Sequence, residues 1–341
     1  MYAKRRYSKL IVISVLTSFL GAMFSSALPL SDDLLYYSGE ENALAPLPAP
    51  PVLNSGKVLI GRRLFHDPVL SKQKALSCST CHNLETGGTV RIPRTVGYQG
   101  KTHAFNAPTI FNVGNNYRLG WRGKFTSLLV QNEAILHDPN LMAVDWPTLL
   151  SRLNDDSSYD AVFKAQYGRA ADRESVLDAL VTYQQSLFTP DSAFDLYMRG
   201  DQNALSQAQK SGLRLFIEYG CVSCHQGSNI GGNMFQIFGV FGEPGTTTLP
   251  TPDDLDERLR LHDREENVFR VPSLRNVEIT APYFHDGRTE TLAEAIAIMG
   301  MSQLGRQLSD EDIAALEAFL KSLTGVYDGK HLSTAVADEP R

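Results

Sequence analysis

Hydrophobic residues recur at three- and four-residue spacing in four parts of the chain, and this spacing is typical of helices with one buried face. These parts are residues 149–153, 175–187, 206–219 and 310–323. Ser206, at the start of the third segment, and Ser309, directly before the fourth, are suitable N-caps, because acidic or amide residues follow in the first turn. Segments with the alternation of a half-buried strand are scarce, so the pattern predicts an all-α protein.

The first 27 residues follow a different pattern. An apolar run covers residues 10–24, and Ser25-Ser26-Ala27 offers small side chains for cleavage after Ala27. The basic residues before the run are Lys4, Arg5, Arg6 and Lys9. This order is typical of a secretory signal peptide. The alternative is an uncleaved membrane anchor, although the run is shorter than the ~20 residues that a span needs. Residues 28–52, rich in proline and alanine near their end, are expected to form an extended lead-in.

Composition and charge narrow the class of protein. The 341 residues fit about two domains, and a hydrophobic content of 43 % is ordinary for a globular chain. There are 32 basic and 38 acidic residues. Without the four basic residues of the signal segment the net charge is near −10. This charge argues against nucleic acid as a partner and suits a small protein with a basic face.

All four cysteines belong to two Cys-x-x-Cys-His motifs, Cys78-Ser79-Thr80-Cys81-His82 and Cys221-Val222-Ser223-Cys224-His225. This is the attachment signature of c-type haem, in which two thiols add to the vinyl groups and the histidine binds iron. Zinc is the alternative for a Cys-x-x-Cys pair, but a histidine directly after the second cysteine is awkward for one tetrahedral centre. The motifs predict two covalent haem c groups. Haem attachment after export, with no cysteine left for a disulfide, indicates the periplasm.

The chain contains an internal repeat. Residues 61–65 match 212–216, residues 105–113 match 269–277, and Trp121 occupies the place of His285. Such self-similarity indicates two copies of one unit. We expect an N-terminal cytochrome c domain over residues 53–190 and a C-terminal one over residues 205–330, with a linker near 190–205.

With these motifs the chain resembles the bacterial di-haem cytochrome c peroxidase family, which includes MauG-like enzymes. The resemblance covers about residues 55–325, and its blocks are residues 60–68, 106–109, 189–192, 231–233, 281–287, 297–300 and 303–305. It implies two cytochrome c-type domains, each with one haem. It also implies reduction of hydrogen peroxide to water, with electrons from a small cytochrome c or a cupredoxin. Homodimers are frequent in the family.

The resemblance assigns roles to several residues. His82 and His225 are the proximal iron ligands, and Met299 is the second ligand of the C-terminal haem, where a thioether raises the reduction potential. Met301 is the alternative ligand, and a methionine on a helix otherwise fills a core. Trp121 occupies the position of an electron relay between the haems. A calcium ion, which prefers oxygen ligands, is implied at Asn106, Thr280 and Pro282.

The chain departs from the family pattern above the N-terminal haem. Tyr98 stands where the family has a distal histidine that blocks the iron until the other haem is reduced. Either Tyr98 binds as phenolate and favours ferric iron, or it fills space and leaves the iron open. His103 is an alternative ligand.

A second departure concerns proton transfer. Leu141 stands at the position of the catalytic glutamate, and leucine cannot move the proton that peroxide cleavage requires. Gln131 keeps its family position and can orient peroxide. Nearby residues that could substitute are Glu133, His137 and Asp138. Three functions remain open: a peroxidase, a MauG-like oxidase of a protein substrate, and a di-haem electron carrier or sensor without turnover.

Overall fold

The computed structural model describes residues 43–242 and 267–333, and their regular structure is mostly helical. In chain order the helices are α1 Ser55–His66, α2 Cys78–Cys81, α3 Leu128–His137, α4 Trp146–Asp155, α5 Ser157–Tyr167, α6 Arg173–Ser186, α7 Ala193–Met198, α8 Gln207–Glu218, α9 Leu292–Leu304 and α10 Asp310–Lys321. Single 3₁₀ turns cover Pro68–Leu70, Leu84–Thr86, Tyr98–Gly100, Val113–Asn115, Cys221–Ser223 and Val277–Ile279. The four segments predicted as helical lie in α4, α6, α8 and α10, and the all-α prediction is confirmed.

The helices begin at the residues whose side chains can cap them. Ser206 accepts a hydrogen bond from the Gln209 amide at 3.3 Å, and the Gln209 side chain accepts one from the Ser206 amide at 2.8 Å. Ser309 accepts from the Asp312 amide at 3.1 Å. These bonds satisfy amides that have no partner inside the helix. Both predicted N-caps are therefore confirmed.

The internal repeat appears as the same helix pair in each half. Helix α1 packs on α6, and α8 packs on α10. Gly61 and Gly212, which match in the repeat, lie at these two crossings. A Cβ on Gly61 would overlap the carbonyl of Ala179, and one on Gly212 would overlap the carbonyl of Ala315. Glycine thus allows the close helix approach in both halves.

Strands contribute little within the described ranges. β1 (Phe235–Ile237) pairs antiparallel with β2 (Val268–Arg270), with Gln236 opposite Phe269. β3 (Val326–Tyr327) pairs antiparallel with β4 (Lys330–His331), with Val326 opposite His331. These short ribbons agree with the scarcity of strand patterns in the sequence.

Buried side chains form two hydrophobic cores. The first joins α1 with α4–α6 around residues such as Leu64 and Phe163. The second joins α8, α9 and α10 around Phe216 and Phe319. The described part of the lead-in, residues 43–52, has almost no regular structure and packs on the second core through Leu44.

In the described ranges, no helix combines the length and the apolar character that a bilayer span needs. The predicted signal peptide and the alternative anchor lie outside the described residues. The domain boundaries at 53–190 and 205–330 stay predictions.

Candidate functional site

The first Cys-x-x-Cys-His motif forms a single helical turn. Cys78 and Cys81 begin and end α2, and His82 is its C-terminal cap. Nδ1 of His82 lies 3.3 Å from the carbonyl oxygen of Gly88, which orients the ring. Burial lowers the pKa of His82, opposed by the carbonyls of Gly88 and Pro108. The imidazole is therefore held in the neutral form that binds metals.

The second motif lines a cavity of about 440 Å³. Cys221, Cys224 and His225 contribute to its wall, and so does Met299 from α9. Burial lowers the pKa of His225 to about 4, again favouring the neutral ring. Met301 is not among the described residues that line this cavity. Met299, rather than Met301, therefore lines the same cavity as His225.

The lining of this cavity fits a covalently bound haem. Two thiols, an imidazole and a thioether are exposed to one largely apolar space, which is the donor set that a c-type haem uses. Burial raises the pKa of Cys221 to about 11, so its thiol is neutral. A structural zinc site needs four ligands. Within residues 43–242 and 267–333, no three His, Cys, Asp or Glu side chains are grouped to hold a metal ion, so the zinc alternative lacks support.

Trp121 lies on the wall of the same cavity, at the contact between the two halves. Its Nε1–H donates to the carbonyl of Asn106 at 2.8 Å, which fixes the indole. The amide of Arg270 donates to the Trp121 carbonyl at 2.8 Å, and the amide of Asn106 donates to the His285 carbonyl at 2.7 Å. Because Asn106 and Arg270 match in the repeat, as do Trp121 and His285, the two halves exchange equivalent hydrogen bonds.

The three residues expected to bind calcium lie together on this cavity. Asn106, Thr280 and Pro282 all line it. The Asn106 side-chain amide donates to the carbonyls of Ile92 and Pro93 at 3.0 and 3.2 Å, which leaves Oδ1 as the atom that could bind a cation. Proline can contribute only its carbonyl oxygen. Oxygen donors suit calcium, and the site stays a prediction.

Tyr98 begins a 3₁₀ turn that lies against Leu141. The Tyr98 amide donates to the carbonyls of Asn140 at 3.1 Å and Leu141 at 3.0 Å. A Cβ on Gly97 would overlap the Asn140 carbonyl, so the turn approaches this segment closely. The Tyr98 ring is half-buried, with the ammonium of Lys72 5.8 Å from its centroid. The ring is thus next to a surface lysine.

His103, the alternative iron ligand, is bonded within its own loop. Its Nδ1 accepts a hydrogen bond from the Phe105 amide at 3.2 Å, and the two rings pack edge to face at 6.0 Å. These contacts give His103 a structural role that needs no iron.

The side chains that could take the place of the catalytic glutamate, Glu133, His137 and Asp138, are also hydrogen-bonded to other residues. Glu133 accepts hydrogen bonds from Arg173 at 2.6 Å and from the Trp146 indole at 3.0 Å. The hydrogen bond from Arg173 has the largest effect and, together with the one from Trp146, lowers the pKa of Glu133 to about 2. Nδ1 of His137 lies 2.8 Å from the Val144 carbonyl.

Asp138 accepts a hydrogen bond from the Asn140 amide at 2.8 Å and so stabilises the turn that contains Leu141. Gln131 lies half-buried in α3.

Two features of the structure were missed by sequence reasoning. Arg270 is buried on the cavity wall, although its match with Asn106 in the repeat was a signal that could have identified it. Asp195 and Arg275 form a fully buried ion pair at 2.9 Å. Both residues lie outside the haem motifs, and no periodicity distinguishes a buried charge from an exposed one.

Comparison with known proteins gives a consistent picture. A family described as di-haem cytochrome c peroxidase matches residues 55–203, and one described as cytochrome c matches residues 209–324. The chain is 35 % identical to cytochrome c551 peroxidase of Nitrosomonas europaea over 92 % of this chain and 91 % of that protein. It is 38 % identical to cytochrome c551 peroxidase of Pseudomonas aeruginosa over 78 % of each chain. The crystal structure of a MauG-like protein associated with microbial copper homeostasis superimposes with a TM-score of 0.69 and 26 % identity, over 82 % of this chain and 92 % of that one.

Proposed function

The chain belongs to the di-haem cytochrome c peroxidase family, and from this premise we propose that it reduces hydrogen peroxide to water in the periplasm. Electrons would come from a small cytochrome c or a cupredoxin. The observation that carries the proposal is the single cavity that gathers Cys221, Cys224, His225 and Met299 and has Trp121 on its wall. This combination of an electron-transfer ligand set and an oxidisable aromatic ring is what a peroxidase of this family needs.

The proposed haem ligands form two separate sites with different roles. Cys78, Cys81 and His82 would hold the N-terminal haem, and the cavity residues would hold the C-terminal haem. When bound, the N-terminal haem supplies the iron at which peroxide is reduced, and the C-terminal haem supplies single electrons at higher potential. A thioether ligand such as Met299 stabilises the reduced form of iron.

Trp121 is suited to the relay position because its ring cannot turn freely. The hydrogen bond from its indole to Asn106 orients the ring, and the bond from Arg270 to its carbonyl ties it to the C-terminal half. A fixed, polarizable ring at the contact between the halves supports electron transfer. The calcium ion that we propose at Asn106, Thr280 and Pro282 would stabilise the same contact.

The test is the oxidation of a pre-reduced small cytochrome c after peroxide is added to the haem-loaded protein. We expect catalysed oxidation, reduced about 10-fold or more by Trp121→Phe while the spectra of both haems stay unchanged. Trp146→Phe is the matched control, because Trp146 hydrogen-bonds Glu133 and does not line the cavity. Oxidation no faster than the uncatalysed rate would eliminate the peroxidase.

A carrier or sensor without turnover is the second candidate. It is favoured by the absence of a proton-transfer group at Leu141 and by the engagement of Glu133 with Arg173. The same assay separates the two functions, since a carrier exchanges electrons with the cytochrome but does not consume peroxide.

A MauG-like oxidase of a protein substrate is the third candidate, favoured by the loss of the distal histidine at Tyr98. A redox titration distinguishes it. Widely separated potentials of the two haems support the peroxidase, and close potentials support the MauG type.

A further inference from the structure

Arg270 has an environment that the proposed function leaves unexplained. It ends β2 and is only 4 % exposed. Its amide donates to the Trp121 carbonyl at 2.8 Å, and its Nε–H donates to the Gly120 carbonyl at 3.2 Å. The guanidinium is therefore fixed against the segment that carries the proposed relay.

Part of this guanidinium lacks a partner. Nη1 of Arg270 is buried and makes no hydrogen bond within the described residues, and none of the ion pairs identified there includes it. Burial lowers the pKa of Arg270 to about 10, so the side chain is still a cation at neutral pH. A buried, unpaired charge is strongly unfavourable, and buried donors are nearly always bonded. Nη1 of Arg270 is therefore free to donate to an acceptor that the described residues do not supply, and an anion would also balance its charge.

The described residues that line the cavity offer no carboxylate. Arg270 lines it together with Cys221, Cys224 and His225, and no Asp, Glu or Lys appears among its described lining residues. A group that occupies this cavity can supply the anion that its described lining lacks. A haem carries two propionate carboxylates, and the planar guanidinium fork of arginine matches a carboxylate.

We propose that Nη1 of Arg270 binds a propionate carboxylate of the C-terminal haem. Arg270 is thus a positioning residue that joins the haem to Gly120 and Trp121, and its charge offsets the negative propionate. A cation beside the haem favours the reduced iron, so Arg270 raises the reduction potential of this site. The inference rests on a haem in this cavity and not on peroxide turnover.

The experiment is a spectroelectrochemical titration of the resting, haem-loaded protein in the absence of peroxide, at neutral pH, where free carboxylates are ionised and Arg270 is a cation. Arg270→Met removes the charge, and Arg270→Lys keeps the charge but loses the bond to Gly120. Arg214→Met is the matched control, because Arg214 is exposed on α8 of the same half. Resonance Raman spectra of the propionate bending mode report the carboxylate contact directly.

We expect Arg270→Met to lower the potential of the C-terminal haem alone, with Arg270→Lys close to wild type and Arg214→Met unchanged. The propionate band should shift in both Arg270 variants. Equal lowering in the Lys and Met variants would overturn the inference, because the bond to Gly120 would then be the cause. If Arg270→Met does not retain haem, the Raman comparison of wild type with Arg270→Lys decides, and an identical band contradicts the proposal.

Discussion

The backbone amide of Tyr98 donates to the carbonyl oxygen of Leu141 at 3.0 Å. These are the two positions at which the resemblance predicts a departure from the family above the N-terminal haem, and the structure joins them by a direct hydrogen bond. Both side chains are half-buried. The two departures therefore belong to one local arrangement and are best tested together.

Restoring a proton acceptor at Leu141 should accelerate peroxide reduction. A positioned carboxylate contributes about 10²–10⁴-fold to such a reaction, so we expect Leu141→Glu to raise kcat by about 100-fold. The measurement is the peroxide-dependent oxidation of reduced cytochrome c.

Leu141→Gln is the control for this variant, since glutamine has the shape of glutamate and no carboxylate. It should stay close to wild type. If the Glu and Gln variants are equally fast, proton transfer at this position does not limit the reaction, and our explanation of the Leu141 site is wrong.

Tyr98 should leave the N-terminal iron open in the resting protein. Its ring contacts Lys72 and its backbone is tied to Leu141, so we expect a high-spin resting signal in the EPR spectrum and peroxide reaction without prior reduction. Tyr98→Phe should keep this signal, whereas Tyr98→His should introduce a low-spin signal. A tyrosinate absorption band that disappears in Tyr98→Phe would contradict the expectation.

Glu133 should take no part in proton transfer. Arg173 lowers the pKa of this carboxyl to about 2, so it stays ionised above that pH. Because the pKa is below its ordinary value, the stability that the ion pair adds is present at neutral pH and is lost as the pH falls towards 2.

The check is the pH profile of kcat for Glu133→Gln, with Glu174→Gln as the control at an exposed ion pair. Both variants should retain the acid limb of the wild-type profile. Loss of that limb only in Glu133→Gln would make Glu133 the proton donor after all.

The buried pair of Asp195 and Arg275 should be important for stability. Asp195 also accepts the amide of Leu47 at 2.9 Å and so holds the lead-in. Removing one member of a buried pair leaves an uncompensated charge, at a cost of about 3–5 kcal/mol. We expect Asp195→Asn to lower the free energy of unfolding by this amount in denaturant titrations.

Asp191→Asn is the matched control, because Asp191 pairs with Arg199 at the surface. Exposed pairs contribute about 0–1 kcal/mol. A similar loss in both variants would show that burial of the Asp195 pair carries no extra stability.

Much of the fold could be predicted because local chemistry determines it. Helical spacing located α8 and α10, and Ser206 and Ser309 marked their first residues. The two Cys-x-x-Cys-His motifs identified the Cys and His residues of both predicted haem sites. Gly61 and Gly212, which match in the repeat, have the same surroundings in the two halves.

Other features depend on contacts between distant segments, which spacing along the chain does not encode. The burial of Arg270 results from its approach to Gly120 and Trp121 in the other half. The contact of Tyr98 with Leu141 likewise joins two loops. A single sequence shows which residue types are present at such places, but not which of them meet.

The central claim is that electrons from the C-terminal haem reach peroxide at the N-terminal haem. It is tested most directly by mixing the fully reduced, haem-loaded protein with one equivalent of peroxide under anaerobic conditions and following both haems by rapid spectroscopy. We predict that one peroxide oxidises both haems, because peroxide takes two electrons, and that Trp121→Phe slows only the oxidation of the C-terminal haem. A C-terminal haem that stays reduced in the wild-type protein would contradict the account.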